Sequence, residues 1–181
     1  MRTLELLDEY VPRDDRERRD RERMFELLAT TPQPLARHQF VPGHFTASAF
    51  VVSRTHGSVL LIAHPTLGLW LQPGGHIEPA DIAPADGALR EVREETGLSA
   101  SIGDYLFDID IHQIPARGAS PAHLHYDLRF LATVNGLPAP LSDEGVHARW
   151  LTLPEAVALT TDESVRRMAR KVRPFKEQAA G

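Results

Sequence analysis

Apolar residues recur along the chain with two different periods, and the changes of period mark out its elements. Phe45–Ser53 (FTASAFVVS) and Val59–Ala63 (VLLIA) crowd β-branched and aromatic residues into short strand-like runs. Arg54–Ser58 separates them, and its Gly57 suits a hairpin turn. Leu69–Gln72 reads as a further short strand, closed by Pro73, Gly74 and Gly75 acting as a turn. From Pro84 to Thr96 the period is helical, with proline in the first turn and Gly97 just past the end. Tyr105–Ile114, His123–Val134 and Val146–Thr152 return to strand alternation, and Pro154–Leu159 and Asp162–Val172 are helical again. Strands interleaved with helices predict an α/β fold, a mixed sheet with helices packed on it.

The amino-terminal stretch has a different texture. Arg13–Arg23 (RDDRERRDRER) is an unbroken run of six basic and five acidic residues. Opposite charges fall three and four apart, as in Asp14 with Arg18 and Glu17 with Arg21, which favours a solvated helix. Met24, Phe25, Leu27 and Leu28 then offer an apolar turn by which that helix docks. Thr30–Pro34 breaks the pattern. Residues 1–38 are therefore expected to form a charged helical extension and linker, and residues 39–181 the principal domain.

Composition narrows the chemistry. The 181 residues suit about one domain, and 42% hydrophobic with 25% charged residues excludes wholesale disorder. The absence of cysteine excludes disulfide scaffolds, cysteine zinc sites and thiol nucleophiles. No apolar run reaches the length of a membrane span, and the acidic start MRTLELLDEYVPRDD does not resemble a leader, so a cytoplasmic protein is expected. A net charge of −5 argues against nucleic acid as a partner. It leaves room for an anionic substrate, because carboxylates can hold a metal that binds phosphate.

Such carboxylates are found in Gly74–Leu98 (GGHIEPADIAPADGALREVREETGL). On a helix Ala85, Ala88, Leu89, Val92 and Thr96 share one arc, and Glu91, Glu94 and Glu95 share the next. Glu91 and Glu95 form a like-charge i,i+4 pair that costs a few tenths of a kcal/mol in an isolated helix. Acids at a helix C-terminal end also oppose the macrodipole. A solvated acidic face is the plain reading, and an oxygen-donor set for a hard cation such as Mg²⁺ is the sharper one.

These residues resemble the Nudix box, Gly-x5-Glu-x7-Arg-Glu-U-x-Glu-Glu-x-Gly-U with U aliphatic. Arg90-Glu91-Val92-Arg93-Glu94-Glu95-Thr96-Gly97-Leu98 matches its second half at every fixed position. The first half departs: counted from Gly75 the acid is Asp81 rather than Glu, and eight residues rather than seven precede Arg90. The resemblance implies a Nudix-type α/β/α sandwich with a mixed central sheet, carrying an N-terminal helical extension. It implies metal-dependent hydrolysis of a diphosphate linkage in a nucleoside diphosphate derivative or a nucleoside di- or triphosphate. The metal would be Mg²⁺, with Mn²⁺ as an alternative, on Glu91, Glu94, Glu95 and the Gly75 carbonyl. Arg90 would pair with a box glutamate, its reach to Glu94 being i,i+4. The general base in the family is either a box glutamate, here Glu91 or Glu94, or an acid on a loop before a late strand, here Glu144.

The substrate side is read from less specific features. His76 follows the glycines and lies near any bound phosphate. His123, His125 and Asp127 alternate along one strand and so share a face. That face suits a transition metal, neutral donors to substrate, or simply a half-exposed polar surface. Tyr126, with Phe45, Trp70 and Phe107, is a candidate to stack on a base, although such aromatics are more often core. The partner implied is a small-molecule nucleotide or other diphosphate, and the family's frequent homodimers give the N-terminal helix a candidate role as interface. The rival reading is a non-catalytic nucleotide-binding sensor of the same fold, but such modules commonly lose box acids and all three are present here.

Overall fold

The computed structural model describes residues 2–64, 68–141, 147–160 and 162–172. Its elements follow in the order α1 (Thr3–Glu9), α2 (Asp15–Thr30), β1 (Gly43–Ser53), β2 (Val59–Ala63), β3 (Trp70–Leu71), β4 (Gly74–His76), α3 (Pro84–Thr96), β5 (Ser101–Ile102), β6 (Asp108–Ile114), β7 (His123–Val134), β8 (Ala148–Leu151), α4 (Leu153–Leu159) and α5 (Glu163–Lys171). The α/β class with a mixed sheet is as the sequence predicts. Leu124 N donates to Pro42 O at one end of β1 and β7, and Arg54 N to Val134 O at the other, so these two strands run the same way. The other strand pairs of known register are antiparallel. Among the described residues no helix is long and apolar enough to cross a membrane.

The chain divides into two compact units, and β1, α3 and β7 each run from one into the other. The first comprises Met1–Ser48, Gly74–Ala88 and Gly103–Phe130. Here the Gly74–Gly75 pair, expected to be a turn, is strand β4, paired with β1 through Ser48↔Gly74, Ala47↔Gly75 and Thr46↔His76. The approach is so close that a Cβ on Gly74 would collide with the Ser48 side chain. Helix α1, which no sequence feature announced, packs on α2 with Leu6 and Leu7 buried. The charged helix is less solvated than expected. Glu17 is completely buried, accepting bonds from Tyr10 Oη (2.7 Å) and Arg13 N (2.9 Å). The anticipated partners also exchange: Asp14 caps the helix through Glu17 N, Arg18 pairs with Asp15, and Arg21 donates to the Leu7 and Asp8 carbonyls.

One sheet face of this unit carries a run of charged and imidazole side chains. On β6 and β7 the register sets Asp108 opposite Arg129, Asp110 opposite Asp127 and His112 opposite His125. Arg129 is buried and reaches Asp127 (2.7 Å), Asp110 (3.3 Å) and Asp108 (3.4 Å). Asp127 also accepts from Thr46 Oγ1 (3.0 Å) and Ser48 Oγ (2.8 Å) on β1. Arg16 of α2 pairs with Asp110, which brings the helix onto β6. The β6–β7 connection, Pro115–Pro121, is a surface loop with a bridge between Arg117 and Ser120.

The second unit comprises Ala49–Pro73, Leu89–Ile102 and the described residues of Leu131–Gly181. Its strands run β3-β2-β1-β7-β5, with β8 on β2 from Val59↔Leu151 to Ile62↔Ala148. Helices α4 and α5 pack on each other, and Ala156, Val165 and Met168 are completely buried. Thr152 and Glu155 form a capping box at α4, and Asp162 caps α5. Trp150 is half-buried and donates Nε1 to the Pro138 carbonyl at 2.9 Å.

Arg129→Ala would strand three carboxylates away from water. Removing one partner of a buried ion pair costs about 3–5 kcal/mol, so thermal unfolding should move down by about 6–20 °C in a chain of this size. Burial by itself would raise the Asp110 carboxyl, but Arg129, His112 and Arg16 together hold it well below its usual range. Its contribution is therefore complete above the unfolded value of about 3.9 and is lost as pH falls below it. The urea midpoint should lose this contribution below about pH 4, and Asp110→Asn should flatten that part of the profile.

Candidate active site

Helix α3 carries the box glutamates. Asp86 Oδ2 accepts from Ala83 N (2.9 Å) at its start, and Gly97, at φ +70°, ends it with N donating to Arg93 O at 2.8 Å. Ala88, Val92 and Thr96 are buried, as their arc requires. In the second unit Arg90 Nη1 donates to Glu91 Oε1 at 2.8 Å and to Glu94 Oε2 at 2.9 Å. The Arg90 side chain is 19% exposed, Glu91 16% and Glu94 41%, so the gathered pair has one largely covered carboxylate and one open to solvent. The guanidinium offsets the repulsion that clustered acids impose on one helix turn. Glu95 follows on the same arc and is half-buried. Glu144 lies outside the described residues.

In the first unit Gly75 sits in β4 opposite Ala47. Asp81, which stands where the box has glutamate, accepts from Glu78 N at 2.8 Å. That bond closes the Glu78–Asp81 turn and makes Asp81 its turn acid.

The histidines gather more closely than the sequence indicated. The His44 ring lies 5.1 Å from His76, 5.1 Å from His123 and 4.9 Å from His125, centre to centre. His112 stands 5.6 Å from His125. Asp127, grouped with His123 and His125 by alternation alone, is instead engaged by Arg129, Thr46 and Ser48. Burial, and then the imidazoles His112, His44, His76 and His123, push His125 down to about 2. Burial likewise lowers His44. Tyr126 is 3% exposed and packs against Phe45, with ring centres 5.9 Å apart, so it belongs to the core. His44, His112 and Arg129 were not anticipated. The alternation of Asp108, Asp110 and His112 in DIDIH was the available signal, because it mirrors His123-x-His125-x-Asp127 across an antiparallel pair.

Residues 43–172 match the NUDIX domain, and the chain belongs to the Nudix family. It is 33% identical over 100 residues to a probable DHNTP pyrophosphohydrolase of Lactococcus lactis subsp. cremoris, a stretch covering 54% of this chain and 58% of that protein. It is 31% identical over 102 residues to the CTP pyrophosphohydrolase of Escherichia coli, covering 48% of this chain and 75% of that one. In fold it is similar to the E. coli dihydroneopterin triphosphate pyrophosphohydrolase, with a TM-score of 0.60 at 20% identity over 70% of this chain and 92% of the other.

Asp81→Ala removes the hydrogen bond to the Glu78 amide and should cost about 1 kcal/mol of stability. Turnover should stay within about threefold of wild type, far from the loss expected of a group acting in the transition state. A loss of orders of magnitude would instead make Asp81 part of the chemistry.

Proposed function

We propose that the chain hydrolyses a diphosphate linkage in nucleotides or nucleoside diphosphate derivatives, using a divalent ion held by the acids of α3. The observation that carries this reading is the bridging of Glu91 and Glu94 by Arg90 at 2.8 and 2.9 Å. A guanidinium holding two carboxylates on one turn pre-organises them. The donor set of Glu91, Glu94 and Glu95 is hard carboxylate oxygen, which fits Mg²⁺ or Mn²⁺. A divalent ion bound there would supply charge neutralisation on the diphosphate and a bound water of lowered pKa.

The remaining work falls to side chains. Arg90 fixes the rotamers of Glu91 and Glu94, so that its loss lowers turnover by misplacing them. Glu94, the more exposed of the two, is our candidate to accept the proton of the attacking water, with Glu144 as the competing base. The sensor reading has no observation in its favour, since Glu91, Glu94 and Glu95 are all present.

The test is a nucleotide panel assayed for phosphate or pyrophosphate release with Mg²⁺ and then Mn²⁺. Release from at least one nucleoside di- or triphosphate or diphosphate derivative is expected, and none from any compound would overturn the proposal. With Mg²⁺ saturating, Glu94→Gln and Glu95→Gln should each lower kcat by about 10²-fold or more, the scale of a lost acid–base or charge-stabilising group. Wild-type-like turnover in both would sink the mechanism. A larger loss in Glu144→Gln than in Glu94→Gln would reassign the base.

A further inference from the structure

Hydrolysis at a carboxylate stripe makes no use of the buried histidines on β1 and β7. One ring nitrogen from each of His44, His123 and His125 lies within 4.8 Å of the others. The Nε2 atoms of all three are buried and have no hydrogen-bond partner among the described residues. His44 is 0% and His123 8% exposed, so water does not satisfy them freely. Buried polar atoms are nearly always paired, and three orphans on rings packed this closely call for a common partner.

The far sides of two of the rings are fixed. His44 Nδ1 is 3.0 Å from the Gln39 carbonyl oxygen, and His123 Nδ1 is 2.8 Å from that of Pro121. A carbonyl oxygen only accepts, so each Nδ1 carries the ring proton and each Nε2 presents a lone pair. A backbone carbonyl behind the ring is how metal-bound imidazoles are held in tautomer and orientation.

The geometry points to a site for a single transition-metal ion of the zinc class, bound by Nε2 of His44, His123 and His125, with the fourth position left to water or an exogenous ligand. Imidazole donors suit zinc and its neighbours, and three-histidine sites with an open position are a known zinc arrangement. Tetrahedral coordination at about 2.0–2.1 Å places ligand nitrogens about 3.3–3.4 Å apart, so small ring rotations close the set. Asp110 and Asp127, on the same face, are already engaged by Arg129. All-nitrogen donors here and all-oxygen donors on α3 select different ions, so this site stands whether or not the hydrolase reading does.

The full chain, stripped with a chelator and supplied with excess Mg²⁺ to fill the carboxylates, is titrated with Co²⁺ and separately with Zn²⁺. A single equivalent of Co²⁺ should bind with the intense visible absorption of tetrahedral cobalt, and Zn²⁺ should displace it. Zn²⁺ should also raise the unfolding temperature of the wild type. His123→Ala and His125→Gln should each weaken Zn²⁺ binding by more than about tenfold, the lower range even for loss of an outer partner. Glu91→Gln/Glu94→Gln should leave binding unchanged. Circular dichroism identifies any variant that fails to fold, and the two histidine variants at separate positions guard against that. Failure of the wild type to bind Co²⁺ or Zn²⁺, or binding that persists in a folded His123→Ala/His125→Gln double variant, overturns the proposal.

Discussion

The first unit is organised around one buried guanidinium. Arg129 cannot leave water without partners, and three aspartates on two strands supply them. Because side chains alternate across a strand, the demand is met in a single register of β6 on β7. A slip of one residue would turn Asp108 and Asp110 to the opposite face. The same network reaches β1 through Thr46 and Ser48, and the N-terminal helix through Arg16. The histidines continue that face, and their mutual approach follows from the register the ion pairs impose.

Much of this was legible in the residues. Helix α3 and strand β7 have the bounds their periodicity predicts, Pro84–Thr96 and His123–Val134, because proline, Gly97 and strict alternation are local signals. The box half Arg90–Leu98 needed no tertiary information either, since its spacing is helical. What escaped depended on contacts between distant segments. The Gly74–Gly75 pair is a strand because it pairs with β1, at a distance from Ser48 that leaves no room for a Cβ on Gly74. Glu17 is buried only because Tyr10, seven residues earlier, folds over it. The charge run gave no hint of that, as its composition is the same for a solvated face and a docked one.

The histidine cluster illustrates a related limit. Alternation placed His123 and His125 beside Asp127, and the structure retains the two histidines but exchanges the aspartate for His44. Asp127 was lost to a competitor, Arg129, that sits two residues further on the same face. A pattern along one strand names the residues that face the same way. Only the neighbouring strands decide which of them find each other. Membership of the Nudix family likewise accounts for α3 and its acids.

A consequence follows for the loop joining β6 and β7. In most hairpins the turn sets how the strands align, so its length is constrained. Here alignment is dictated by charges well inside the ladder, beginning at Asp110 and Asp127. Pro115–Pro121 is thereby relieved of any aligning duty. It can lengthen, shorten or change composition without shifting a single strand partner, which makes it the part of this unit most open to evolutionary diversification.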